Sequence, residues 1–352
     1  MSNFQFDAES RHQHYLERFK TGEVNSLLPF LKRVEESLIL QLSKAKTYRS
    51  QVRIKKILAT IQSDTTLILE EYTDQLSLDL VDVGTAEADF TVGTLAQSQD
   101  LDFVTPSVTQ ITAAANARPF NSMLLKDELK DFSKQQAKFI RNNVALGFAE
   151  GQTNQQIIQS VVGSSELNFK DGSMQVTRNA ARRMVRTSIQ HTAAVAKSQV
   201  YADNDDLIDK YAWVSTLDSR TSPTCKARDG RVYEIDKGPL PPAHPNCRST
   251  TIAVFDDDIK KVDGEEKLNL TGGTRPMRNE DGGATVNVKN DYNSWLKRQS
   301  AGFQVDALGK SRAELFRKGG LSVDKFVDRQ DKPLTLAELR KTFPKAWEKA
   351  GI

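Results

Sequence analysis

The stretch from Trp213 to Thr250, WVSTLDSRTSPTCKARDGRVYEIDKGPLPPAHPNCRST, constrains this chain more than any other. Both cysteines of the protein, Cys225 and Cys247, fall in it, as does His244, one of only four histidines. Around them stand turn formers (Pro223, Gly230, Pro241, Pro242, Pro245) and polar anchors (Asp218, Arg220, Asp229, Arg248), with few aliphatics. Such a mixture suits neither a periodic helix nor an alternating strand. It predicts a compact, mostly irregular module held by particular side chains.

The chemistry of that module has several readings. Cys225, His244 and Cys247 form a Cys-x18-His-x2-Cys pattern. Thiolate and imidazole are preferred zinc ligands, and a small loop-rich module gains folding free energy from a metal staple. Three ligands are visible where a closed structural site needs four. Asp218, Asp229 and His191 are the available completions, and no spacing rule selects among them. The spacing is not a standard zinc signature, so a pair of buried thiols beside a hydrogen-bonded histidine is the plain alternative, and a disulfide another. A Cys225 nucleophile with His244 as base would need an orienting third group and an oxyanion donor, which the sequence does not supply. Asp218, Arg220 and Arg248 read as a polar network, with the Asp capping the turn before Thr221-Ser222-Pro223 and an Arg bridging loop carbonyls. A partner-docking role is the alternative. Trp213, on a strand entering the module, is expected to be buried.

The same residues resemble the signature of the phage Mu protein F type of minor head protein, the head morphogenesis family of tailed bacteriophages. The matching elements are Tyr211 to Trp213, Leu217 to Thr221 with Cys225, Asp229-Gly230, and Pro241, Pro242, His244, Cys247 and Arg248. Arg186-Thr187 upstream, and Trp295-Leu296, Leu308 to Lys310, Arg312 and Leu334 to Leu339 downstream, also fit, so the likeness spans about 121–340. Many relatives end Cys-Arg-Cys, whereas this chain has Cys247-Arg248-Ser249. The resemblance implies a non-enzymatic minor virion protein at the capsid interior or portal vertex, made in the bacterial host cytoplasm. It also implies association with the portal protein, and an effect on head assembly and DNA delivery. Two other function classes stand beside it: a zinc- or thiol-dependent hydrolase or effector delivered with the DNA, and a nonspecific DNA-binding accessory protein.

Bulk properties narrow these classes. The 49 basic residues nearly balance 46 acidic ones, so overall charge does not mark a nucleic-acid binder. Arg178, Arg182 and Arg186 are spaced by four along a predicted helix and form a possible DNA or partner contact, with internal pairing the ordinary use of such a face. No GxxxxGK[ST], GxGxxG, HExxH or GxSxG motif occurs, which speaks against a packaging ATPase or a protease. No apolar run approaches the ~18 residues of a membrane span, and the N-terminal residues lack an apolar signal region.

Periodicity predicts a predominantly α-helical α+β fold. Residues 1–120 read as an N-terminal helical domain, with apolar stripes in a helix at about 25–46 and another at 54–76, and weaker periodicity over 84–118. Residues 121–255 read as a mixed core. Its helix over 121–150 offers Leu125, Leu129, Phe132, Phe139, Val144 and Phe148 to the interior. A short helix starts at Thr153, and a long one covers about 174–202. Strands are expected at 210–216, 231–235 and 250–255. Residues 256–289, acidic and punctuated by glycines, read as a polar linker or long loop, and 290–352 as a basic helical C-terminal region.

Overall fold

The computed structural model describes residues 3–43, 50–120, 123–262, 264–269, 272–287 and 289–352. The expected helical residues 44–46 and 121–122 lie outside these. The helices are α1 (Asn3–Ser26), α2 (Leu28–Ser43), α3 (Gln51–Gln99), α4 (Val108–Ala117), α5 (Leu125–Ala149), α6 (Asn154–Val162), α7 (Met174–Ala202), α8 (Pro223–Arg228), α9 (Tyr292–Leu296), α10 (Ala301–Leu308), α11 (Lys310–Arg317), α12 (Leu336–Thr342) and α13 (Pro344–Ala350). The strands are β1 (Pro119–Phe120), β2 (Met123–Leu124), β3 (Lys210–Val214), β4 (Val232–Glu234), β5 (Thr250–Val254), β6 (Ile259–Val262), β7 (Glu265–Leu268), β8 (Thr274–Asn279) and β9 (Gly282–Asn287). Helix dominates, and among the described residues the strand pairs of the named sheets are antiparallel, which is the predominantly helical α+β class the sequence predicts. The chain divides into two compact units, one of Arg18–Gly84 and Thr112–Thr192, the other of Met1–Glu17, Thr85–Ile111 and Ala193–Ile352.

The first of these units is a helical assembly. Helix α2 buries Leu31, Val34, Leu38 and Leu42, one stripe at three- and four-residue steps, and the early part of α3 buries Leu58, Ile61, Leu69, Tyr72 and Leu76. In α5 the interior face carries Leu129, Phe132, Ala137, Ile140 and Val144, while Phe139 and Phe148 are only half-buried. Gly147 is buried on this interior face, and a Cβ there would sit 2.6 Å from Ile157 of α6, so the missing side chain lets α6 press against α5. Helix α6 opens on a capping box. Thr153 accepts the Gln156 N–H, and the Gln156 side chain accepts the Thr153 N–H in return.

The second unit is built on the sheet β4-β3-β5, with Tyr211 opposite Tyr233 and Trp213 opposite Thr251. Alternation along β3 sends Ala212 and Val214 to one face, where they meet Phe6, Ile252, Val254 and Leu268. Tyr211 points to the opposite face and packs with Ala196, Val200 and Tyr201 of α7 and with Leu95 and Ile111. Burial on both faces explains why β3 is apolar from Tyr211 to Val214 rather than alternating.

The acidic, glycine-punctuated stretch after β5 differs from the expected linker. It folds as two hairpins, β6–β7 and β8–β9, and Gly282 turns the second with φ 115°. The C-terminal helices then pack back onto this unit. Leu217 joins Tyr292, Trp295, Leu296, Phe303, Leu315 and Leu339 in one apolar cluster.

Candidate metal centre

Each member of the Cys/His group is placed by local turn chemistry. Ser222 caps α8, accepting the Cys225 N–H at 3.2 Å, and Pro223 occupies the first turn, where it lacks only an N–H that would find no partner. This short helix, within a stretch expected to be irregular, carries Cys225 inward. His244 and Cys247 stand at the two ends of a turn closed by Cys247 N–H donating to the His244 carbonyl at 3.1 Å. Pro245 fixes φ at the second position, and Asn246 takes φ 59° at the third, the order a type II turn favours. Trp213, fully buried, forms the floor against both cysteines, and its indole N–H donates to Ser215 Oγ at 2.9 Å. The Arg228 guanidinium lies 5.0 Å over its ring.

The three side chains converge. Cys225 Sγ lies 3.8 Å from Cys247 Sγ and 3.3 Å from His244 Nε2, and all three ligand atoms fall within 4.8 Å of one another. Zinc with Zn–S of ~2.3 Å and Zn–N of ~2.0 Å, in tetrahedral geometry, sets S–S edges of about 3.8 Å and S–N edges of about 3.5 Å. The donor set therefore fits a metal. The histidine is also oriented for one: its Nδ1–H donates to the Pro245 carbonyl at 2.9 Å, which aims Nε2 at the sulfurs, the usual support of a ligating imidazole. Both cysteines are free. The hydrogen bond to Cys247, together with burial, pushes the Cys225 thiol well up, and the same bond, with His244 alongside, pulls Cys247 well down. The hydrogen bond to Cys247 in turn raises His244 above its ordinary value.

None of the three residues considered as a fourth ligand joins this group. Asp218 accepts two bonds from Arg248, at 2.6 and 2.9 Å, and two from Thr221 at 2.9 and 3.0 Å. Burial alone would raise its carboxyl, but the bonds and charge of Arg248 and Thr221 hold it below its ordinary value. Asp229 accepts the N–H groups of Ser215 and Tyr292, each at 2.7 Å, and clamps Arg275. His191 belongs to the other unit, where its Nε2–H donates to the Ala115 carbonyl at 3.0 Å. Arg220 is 68% exposed and only 3.6 Å from Asp218, so the network is carried by Asp218 and Arg248. Among the helical arginines, Arg178 is ion-paired with Glu35 and donates to the Phe169 carbonyl at 3.0 Å, Arg186 is half-buried and engaged, and Arg182 is exposed.

Sequence reasoning missed two buried charge clusters. Arg275 of β8, 2% exposed, donates to both oxygens of Asp229 and to the carbonyls of Ser215 and Asn290, which ties the second hairpin and the start of α9 to the Cys/His module. Lys197 of α7 lies 2.7 Å from Glu9 and 3.3 Å from Glu87, and His12 closes on Glu87 at 2.6 Å. Both join residues far apart in the chain, and an Asp229-Gly230 turn was the single local hint of either.

Comparison with known proteins finds a family likeness over part of the chain. Residues 138–252 match the family model described as Phage Mu protein F like protein, a range running from within α5 through His244 and Cys247 into β5. This segment is phage Mu protein F-like. The Mu F-like segment thus contains Trp213, Asp218, Cys225, His244, Cys247 and Arg248. The chain is also 28% identical over 181 residues to the NAD(+)--arginine ADP-ribosyltransferase EFV of Enterococcus faecalis, covering 46% of this chain and 35% of that protein. The chain thus spans about a third of the length of the curated relative it matches. No solved structure matches. No helix among the described residues is long and apolar enough to cross a membrane.

Proposed function

We propose that this chain is a minor structural protein of a tailed phage head that docks at the portal vertex and stabilises its Cys/His module with zinc. The Mu F-like match over residues 138–252, which encloses the whole module, carries this reading. The metal is supported by the spacing of Cys225, His244 and Cys247 and by the Nδ1–H bond that aims His244. When bound, zinc supplies a charge-stabilised crosslink between α8 and the His244–Cys247 turn, and its binding free energy adds to folding. The protein's own groups prepare the site. Ser222 orients Cys225, the Pro245 carbonyl sets the histidine tautomer, and Trp213 walls the thiolates from water. Both cysteines are about 1% exposed, which keeps a macromolecular substrate from a thiolate nucleophile. DNA contact is secondary here, because Arg178 is already spent on Glu35.

Two experiments test the reading. Tagged protein recovered from an infected lysate brings the portal protein with it, and absence of portal from washed complexes removes the docking role. Purified protein contains near-stoichiometric zinc that Cys247→Ser abolishes, whereas metal-free, fully folded protein sinks the zinc assignment. The similarity to an arginine ADP-ribosyltransferase supports a second reading, an effector that travels with the genome. Incubation with labelled NAD⁺ and an arginine acceptor decides it, since transfer of label would move the chain into the enzymes.

A further inference from the structure

We infer that a metal held by Cys225, His244 and Cys247 keeps a fourth coordination position beside Ser249 that no side chain among the described residues fills, so that water occupies it and small monodentate ligands exchange into it. The inference rests on the zinc reading and concerns what kind of zinc site this is. Closed structural zinc sites have four protein ligands, and three ligands with an exchangeable fourth position mark the open kind.

Three observations carry it. The metal-competent group found among the described residues consists of Cys225, His244 and Cys247. The nearby carboxylates are committed. Asp218 cannot turn without releasing Arg248 and two Thr221 donors, and Asp229 cannot turn without orphaning two backbone N–H groups and the buried Arg275 guanidinium. Both changes leave buried polar groups unpaired, which is costly. Ser249, 2% exposed, reaches both cysteines with polar groups without belonging to the ligand set. Its hydroxyl hydrogen-bonds Cys225, and its backbone N–H donates to Cys247. Its hydroxyl also meets Ser215 Oγ at 3.2 Å, so this side of the sulfurs is lined by hydroxyl groups that can hydrogen-bond a small polar ligand. His244, half-buried at the rim, leaves an approach for a small ligand that the buried sulfurs do not offer to a large one.

Cobalt(II) makes the coordination sphere visible. The reduced, full-length protein is titrated with Co²⁺, and then azide or imidazole is added. A thiolate-to-cobalt charge-transfer band is expected on titration, and the added ligand is expected to shift the visible d–d bands. No charge-transfer band means that the group holds no metal, and the zinc reading fails with the inference. A band that forms but ignores both ligands leaves the metal in place and overturns the open position alone. Ser249→Cys adds a thiolate beside both sulfurs. It is expected to tighten Co²⁺ binding at least tenfold and to abolish the response to azide, and unchanged affinity with a retained response counts against the position assigned. Ser249→Ala, which adds no ligand, is expected to keep the wild-type response, so the wild-type and Ser249→Ala spectra decide the matter even where the cysteine variant fails to fold.

Discussion

Replacing Arg275 by methionine tests the claim that a buried ion pair holds the C-terminal third of the chain to the Cys/His module. The side chains of Arg275 and Asp229 are 2% and 1% exposed. In Arg275→Met, Asp229 keeps the N–H donors of Ser215 and Tyr292 but loses its counter-charge, while the carbonyls of Ser215 and Asn290 lose a donor. Breaking a buried pair by removing one partner costs about 3–5 kcal/mol, because the survivor remains charged and dry. For a unit of this size that corresponds to a fall in Tm of roughly 6–20 °C. All three tryptophans, Trp213, Trp295 and Trp347, lie in the unit that contains the pair, so urea unfolding followed by tryptophan fluorescence reports on it selectively. The cycle is completed with Asp229→Asn and the double variant. A coupling energy of about 0.5–3 kcal/mol is expected, the double variant losing less than the two single losses together. Arg275→Met within about 0.5 kcal/mol of wild type, the range of ordinary surface changes, would refute the reasoning, as would strictly additive losses.

Other outcomes follow from the same geometry. Trp213→Ala should cost about 3–5 kcal/mol in the same urea assay, since a fully buried indole is lost from beneath both cysteines. A chain ending at residue 289 should lose soluble yield and protease resistance in its 193–289 portion, because Tyr292 and Trp295 cluster with Leu217, and Lys226 and Arg228 bond to Ala307 and Asp331. A truncated chain that melts like the intact one would restore a detachable tail. Burial, with Arg118 nearby, lowers His191 below its ordinary 6.5 against the opposing Ala115 bond, so the unfolded chain takes up this proton first as pH falls. Stability followed by far-ultraviolet circular dichroism should therefore be at its full value above about pH 6.5 and decline below it, and His191→Gln should flatten that decline. An equal slope in the variant rules out His191 as its source.

What the sequence made legible was local. The stripe Leu31, Val34, Leu38, Leu42 needs only helical geometry to be read, and Thr153 with Gln156 spells a helix start within four residues. The Cys/His module was readable as a set of residues but not as geometry, since the Ser222-Pro223 cap of α8 and the His244–Cys247 turn lie in a stretch that reads as irregular. The weak periodicity of 84–118 concealed something different. Helix α3 runs unbroken to Gln99, and Glu87 interrupts its apolar face because Lys197 and His12, distant in sequence, neutralise it. A buried carboxylate is indistinguishable from a solvated one until its partner is placed.

The misread linker follows the same logic and says what buried charge contributes here. Acidic and glycine residues between β5 and α9 have the composition of a tether, and hairpins as short as β6–β7 and β8–β9 are marginal on their own in water. They become structure because they are anchored from outside. Leu268 inserts into the sheet cluster, the Arg278 N–H donates to the Leu217 carbonyl at 2.8 Å, and Arg275 reaches Asp229 inside the module. Burying an arginine and an aspartate adds little net stability over apolar residues of similar volume, but it penalises every arrangement in which either charge is left alone. The pair therefore acts on specificity more than on stability. It admits one seating of the second hairpin, and with it one position for Tyr292, whose N–H shares the same carboxylate and whose hydroxyl donates to the Asp218 carbonyl at 2.6 Å. The C-terminal helices are thus positioned by Asp218 and Asp229, residues that also frame the Cys2His site.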